Sequence, residues 1–187
     1  DNIKLMRVIA GKYKGFNLLA PKNKNTRPTD NKVKEAIFDM LYPIKKEATA
    51  LDLFSGSGQI GIEFLSRDLK LVCFNEIDNS SFRVLKENLT KIKDDNYILS
   101  KLDYKLALEK YRDKDIKFDY IFLDPPYDKD FIDHSLRLIL DYELLNEEGI
   151  VITESDRELD FSEKYNFYLY KEKTYGRKII KIYIKWK

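Results

Sequence analysis

The chain is predicted to form an α/β domain built on a mainly parallel sheet, and three observations predict it. Short apolar runs of β character alternate with amphipathic helical segments between residues 50 and 152, the pattern of strand–helix–strand units. A glycine-rich corner, Ser55-Gly56-Ser57-Gly58-Gln59-Ile60-Gly61, follows the first run and opens a helical segment. The fourth run, Phe118-Asp119-Tyr120-Ile121-Phe122-Leu123, ends on Asp124-Pro125-Pro126-Tyr127. Proline has no N–H and a fixed φ, so two in succession stop a strand ladder and set a rigid turn. That turn falls at the carboxyl end of a strand, where open α/β sheets bind ligands.

In chain order, Met6 to Ala20 reads as a hairpin. Arg7-Val8-Ile9-Ala10 and Phe16-Asn17-Leu18-Leu19 are strand-like, and Gly11 to Gly15 connects them. A two-stranded ribbon is marginal by itself and needs a surface to pack on, either the main domain or RNA. Pro21 to Asn25 is polar and loop-like. Thr29 or Asp30 can cap a helix with Val33, Ile37, Phe38 and Leu41 at helical spacing, closed by Pro43. The alternating region then runs as strand Ala50 to Phe54, helix Gln59 to Leu65, strand Leu71 to Phe74 and helix Phe82 to Ile92. Strand Tyr97 to Leu99, helix Leu106 to Tyr111, strand Phe118 to Leu123, helix Phe131 to Leu140 and strand Ile150 to Ile152 follow. Tyr165 to Tyr170 and Ile179 to Ile184 are two more strand patterns with no helix between them. The last alternates Ile180, Ile182 and Ile184 with Lys181, Tyr183 and Lys185, as expected near a sheet edge. The expected organisation is a basic N-terminal arm, residues 1–28, on a single domain, residues 29–187.

At 187 residues and 43% hydrophobic content, the chain can build one full core. No apolar run approaches a membrane span and the first residues are too polar for a signal peptide, so an intracellular, cytoplasmic protein is expected. With one cysteine, Cys73, and one histidine, His134, an ordinary zinc site is not expected. The net charge of +2 is unevenly placed. Residues 1–34 carry nine Lys/Arg against two acids, and residues 171–187 carry seven against one, around an acidic middle. Basic ends on an acidic body suggest a polyanionic partner such as a nucleic acid.

The chemistry-bearing residues cluster at predicted strand ends. Gly56, Gly58 and Gly61 form a literal G-x-G-x-x-G, and Glu76 lies 20 residues beyond Gly56 at the end of the next strand. This matches a dinucleotide fingerprint, in which glycines permit close backbone approach and the acid takes ribose hydroxyls. S-adenosylmethionine needs similar hardware, so the loop indicates a nucleoside cofactor without choosing between the two. Asp103, after the third strand, can accept from an adenine amine. Asp124 and a turn carbonyl can accept from the exocyclic amine of a planar base, with Tyr127 stacking on its ring. An NAD enzyme would need a hydride-transfer acid–base partner, and His134 sits in the Asp-rich start of a helix, where a solvated side chain is expected. NAD is therefore the weaker of the two cofactors.

Several stretches together resemble the bacterial 16S ribosomal RNA guanine-N2 methyltransferases of the RsmD type: Arg7-Val8-Ile9-Ala10-Gly11, Arg27-Pro28-Thr29, Asp52-Leu53-Phe54-Ser55-Gly56-Ser57-Gly58, Asn75-Glu76-Ile77-Asp78, Asp124-Pro125-Pro126-Tyr127 and Tyr175-Gly176. The resemblance runs from about Met6 to the end. One departure is that Asn31 stands where the family pattern has an aspartate, and Asn31 is left outside the site.

The resemblance implies a class I S-adenosylmethionine-dependent methyltransferase fold, a seven-stranded Rossmann-like sheet whose last hairpin inserts one antiparallel strand. It implies S-adenosylmethionine as donor, no metal, and a guanine of 16S RNA as acceptor, within the small subunit or an assembly intermediate. By matching position, Asp52, Phe54, Gly56, Ser57 and Gly58 would border the methionine end, Glu76 the ribose and Asp103 the adenine, with Arg27 and Thr29 close by. Asp124, Pro125, Pro126 and Tyr127 would receive the base, and Lys12, Lys14, Lys22, Lys24 and Arg27 would hold RNA phosphates. Asp52 can equally be a strand-end acid bracing the loop, and Asp78 an N-cap. A monomer is expected. The rivals are an adenine-N6 DNA or RNA methyltransferase, a non-catalytic RNA-binding assembly factor, and the NAD-dependent oxidoreductase.

Overall fold

The computed structural model describes residues 6–20, 29–126 and 130–186, with the side chains of Thr29 and Asp30 left aside. The hairpin is β1 (Met6–Arg7) paired antiparallel with β2 (Asn17–Leu18). The helix that follows is α1 (Thr29–Leu41). The alternating region comprises β3 (Thr49–Asp52), α2 (Gln59–Ser66), β4 (Leu71–Asn75), α3 (Asn79–Ile92), β5 (Tyr97–Ser100), α4 (Tyr104–Asp113), β6 (Phe118–Leu123), α5 (Phe131–Asp141) and β7 (Leu145–Ser155). A short helix, α6 (Ser162–Tyr165), precedes β8 (Phe167–Tyr175) and β9 (Lys178–Lys185).

Among the described residues, seven strands form one sheet in the order β5-β4-β3-β6-β7-β9-β8. All neighbours from β5 to β7 are parallel, and β9 runs antiparallel to both β7 and β8. The last hairpin thus inserts an antiparallel strand as expected: β8 forms the edge, and next to it lies β9. Its Ile180, Lys181, Ile182 and Tyr183 are all buried. Lys181 tolerates this because its stem lies in the sheet while its ammonium reaches the exposed carboxylate of Glu158.

Strand side chains alternate between two cores. Ala50, Val72, Phe74, Tyr120, Phe122, Ile152 and Ile182 face α1, α2, α3 and the hairpin. Leu51, Cys73, Ile121, Leu123, Val151 and Tyr183 face α4 and α5. Covering both faces is what makes these strands read as continuous apolar runs.

The hairpin shares the first core through Val8 and Leu18. It is also fixed by polar groups on the main domain. The Lys12 N–H donates to the Ser66 carbonyl at 2.8 Å, and the Leu19 N–H to Asn88 Oδ1 at 2.9 Å. The Ile9 N–H donates to the buried Glu63 carboxylate at 2.7 Å. Lys34 Nζ, also buried, lies 3.0 Å from the same oxygen and donates to the Arg7 carbonyl at 2.8 Å. Paired and hydrogen-bonded in this way, the two buried charges tie the arm to α1 and α2.

Candidate active site

Because β5, β4, β3 and β6 lie side by side and parallel, their carboxyl ends open on one edge. Asp52 ends β3, Glu76 and Asp124 directly follow β4 and β6, and Asp103 follows β5. Asp52 is in register with Phe74 on one side and Phe122 on the other. The four carboxylates thus span three interstrand spacings, about 14 Å. The structure brings these predicted residues to one edge. Tyr127, Lys22, Lys24, Arg27 and the side chain of Thr29 lie outside the described residues.

The loop after β3 turns through Gly56 at φ +56° and Gly58 at φ +90°, conformations that glycine adopts without penalty. Nothing lies within 4 Å of where a Gly56 Cβ would stand, so the loop faces open space there. A Cβ on Gly61 would come 2.1 Å from the Phe74 ring, so this glycine lets α2 lie against β4. The Glu76 carboxylate accepts the Gly56 N–H at 2.8 Å on one oxygen and the Asp78 N–H at 2.9 Å on the other. A carboxylate has about four lone-pair sites, so acceptor capacity remains for hydroxyls. Asp78 N-caps α3, accepting the Ser81 N–H at 2.9 Å. Asp103 N-caps α4, accepting the Lys105 N–H at 2.9 Å, and is exposed at the edge.

Asp52 is buried. Its Oδ2 accepts the Gly61 N–H at 3.0 Å, whereas its Oδ1 is buried with no hydrogen-bond partner. Burial pushes the carboxyl up from 3.8 to about 7; the Gly61 N–H opposes the rise and the Glu76 charge adds to it. The folded protein therefore keeps a proton that the unfolded chain loses near pH 4, and this contribution to stability is lost as pH rises through about 7. The slope is at most about 1.4 kcal/mol per pH unit. Urea unfolding across pH 4.5–7.5 is expected to show this falling stability, and Asp52→Asn to flatten it.

Asn75 and Asn88 are buried braces that the sequence reading passed over. Asn75 Nδ2 donates to the Leu102 carbonyl at 2.8 Å and its Oδ1 accepts the Leu102 N–H at 3.1 Å, joining the loop after β5 to the end of β4. Asn88 Nδ2 donates to the Ser57 carbonyl at 2.9 Å and to the Leu19 carbonyl at 3.0 Å, joining the glycine loop to the hairpin. The signal was an amide within the apolar stripe Leu85, Leu89, Ile92. Phe54, Tyr104 and Phe131 form an aromatic cluster at the same edge, with the Phe54 and Phe131 rings parallel at 6.2 Å and those of Tyr104 and Phe131 4.9 Å apart. His134 is exposed, with Nδ1 3.4 Å from the Tyr104 hydroxyl.

Lys12 is engaged by Asp68 at 3.2 Å and Asp94 at 3.1 Å, whereas Lys14 is exposed at the hairpin tip. On the other side of Asp124, a cleft of about 180 Å³ is bounded by Pro125, Pro126, Ile132, Arg157, Phe161 and Lys164, among others. It is smaller than the roughly 300–1,000 Å³ of a drug-sized ligand site, and so suits a single ring system rather than a whole nucleoside cofactor.

A family model described as conserved hypothetical protein 95 matches residues 6–184. YlbH of Bacillus subtilis, provisionally named an rRNA methyltransferase, is 37% identical over 182 residues, covering 96% of this chain and 99% of its own. Ribosomal RNA small subunit methyltransferase D of Haemophilus influenzae is 32% identical over 172 residues, covering 91% of this chain and 89% of its own. Among solved structures, the Escherichia coli protein yhhF, provisionally described as a methyltransferase, superposes with a TM-score of 0.81 at 26% identity, covering 97% of this chain and 98% of its own.

Proposed function

The chain belongs to the conserved hypothetical protein 95 family, that of ribosomal RNA small subunit methyltransferase D, and on that premise we propose that it methylates the exocyclic N2 of a guanine in 16S ribosomal RNA. Its sheet has the class I methyltransferase order. The observation that carries the reading is the single sheet edge shared by Asp52, the glycine loop, Glu76, Asp103 and Asp124. On this reading the enzyme works in the cytoplasm, as a monomer, on the small subunit or an assembly intermediate. Among the described residues no helix is long and apolar enough to cross a membrane.

The residues fit S-adenosylmethionine: a buried carboxylate oxygen without a partner, a glycine backbone facing open space, and a ribose-suited acid tied to that loop. Asp52, Phe54, Gly56, Ser57 and Gly58 would hold the methionine end, Glu76 the ribose and Asp103 the adenine, with Arg27 and Thr29 beside them. When bound, the sulfonium supplies an electrophilic methyl group.

The N2 lone pair of guanine is delocalised into its ring and is a poor nucleophile. Asp124 and the Pro125 carbonyl accept the two amino hydrogens, which turns the lone pair out of conjugation. Positioning of this kind can lower a barrier by several kcal/mol. The Asp124 carboxylate also offsets charge developing on the amine, and the proton leaves afterwards to water. Pro126 stiffens the turn, and Tyr127 replaces the stacking a flipped base loses.

Lys12, Lys14, Lys22, Lys24 and Arg27 hold phosphates, positioning the RNA without reading its sequence. Since Lys12 already serves Asp68 and Asp94, Lys14 is the cleaner probe. Lys14→Glu is expected to lower RNA affinity and to reduce the salt slope by about 1, as read by filter binding at several salt concentrations.

Labelled methyl transfer to small subunits from cells lacking the protein, followed by nucleoside analysis, tests the function. N2-methylguanosine is expected. Another methylated nucleoside, or no incorporation, overturns the proposal.

A further inference from the structure

Asp124 alone does not explain a guanine target. An acceptor at the turn suits any exocyclic amine, and adenine N6 offers the same two hydrogens as guanine N2. The difference lies on the far side of the purine. Guanine with N2 at the turn presents two acceptors there, O6 and N7, whereas adenine with its single amine, N6, at the turn has no such O6/N7 pair on the opposite edge.

The cleft beyond the Pro-Pro turn carries a group suited to that far edge. β6 and β7 are adjacent, with Leu123 opposite Thr153, so the segments after them emerge side by side. Asp124 begins one segment, and Arg157 lies on the other, two residues past the end of β7. Ser155 Oγ donates to the Arg157 carbonyl at 2.7 Å, which closes the turn that presents this residue. Two cations line the cleft. Lys164 is taken up by Asp133 at 2.8 Å, whereas Arg157 makes no ion pair among the described residues and is exposed. Pro125, Ile132 and Phe161, all buried or nearly so, supply apolar surface for a ring.

We infer that Arg157 selects guanine, its guanidinium donating to O6 and N7 of the base whose N2 rests on Asp124. This deepens the reading above and depends on it. The planar fork of a guanidinium matches the O6/N7 pair. Adenine with N6 on the turn offers the fork no such pair, and a purine whose 2-amino group rests on the turn while C6 carries a second amine presents it with a donor in place of O6, so the cleft disfavours both.

The test uses the RNA segment located by the labelling experiment, synthesised with either guanine or 2,6-diaminopurine at the methylated position and assembled into subunits where the free segment is not accepted. Diaminopurine keeps the 2-amino group and N7 but replaces O6 with an amine. The wild-type protein is expected to prefer guanine by about 10- to 100-fold in kcat/KM. Arg157→Ala is expected to lose most of its rate on guanine and little on diaminopurine, so that the preference collapses. Its melting temperature and S-adenosylhomocysteine affinity are expected to stay unchanged, which a merely misfolded variant would not show. Equal use of both RNAs by the wild type, or an unchanged preference in Arg157→Ala, overturns the role of Arg157 and leaves N2 methylation standing. Failure on both RNAs overturns the N2 reading and this inference with it.

Discussion

Replacing Asp124 with alanine is expected to lower single-turnover methyl transfer by at least about 10²–10³-fold, the cost of removing one preorganised polar group from a reacting centre. S-adenosylhomocysteine affinity should stay within a few-fold, because the donor-binding groups lie on the neighbouring strands β3, β4 and β5. Asp124→Asn keeps one acceptor oxygen in the same place but loses the charge, so it should retain an intermediate rate. That order, aspartate above asparagine above alanine, separates electrostatic help from simple placement of the amine. Unchanged turnover in the alanine variant would remove Asp124 from the chemistry.

The second large effect is expected at Glu76. Its two oxygens accept N–H groups from Gly56 and Asp78, so alanine there removes a ligand for the ribose and slackens the loop that faces the donor. Charge-assisted hydrogen bonds of this type contribute roughly 1.5–3 kcal/mol each. Calorimetry with S-adenosylhomocysteine should show affinity reduced by about 10- to 100-fold, with a lowered melting temperature. Glu76→Gln retains one acceptor and should recover part of both. An unaltered binding isotherm for the alanine variant would take Glu76 out of the site.

The strands were legible because parallel strands buried on both faces leave few other patterns: Leu71 to Phe74 is apolar throughout, Phe118 to Leu123 is apolar but for Asp119, and the second run is followed by two prolines that cannot extend it. The glycine loop was legible because Gly58 at φ +90° and Gly61 against Phe74 leave no space for a side chain. The burial of Lys181 on β9 was not. Alternating isoleucine with lysine looks half-solvated, and nothing local reveals that Glu158 lies within reach of Lys181. Asn75 and Asn88 escaped for a related reason: an amide's importance depends on which backbone groups arrive beside it, and those come from elements 27 and 31 residues away. The cleft beside Arg157 is likewise a product of tertiary neighbours rather than of any motif.

The wedged strand β9 has one more consequence. Among the described residues β8 has no neighbouring strand except β9, so breathing that frees the inner strand frees the outer one from the sheet with it. The same event separates Lys178 from Glu154, 3.1 Å apart at the rim of the cleft. β7, whose carboxyl end leads into Arg157, would lose its antiparallel partner in that event. Such an opening would loosen the wall that leads to Arg157 while leaving β5, β4, β3 and β6 paired with one another.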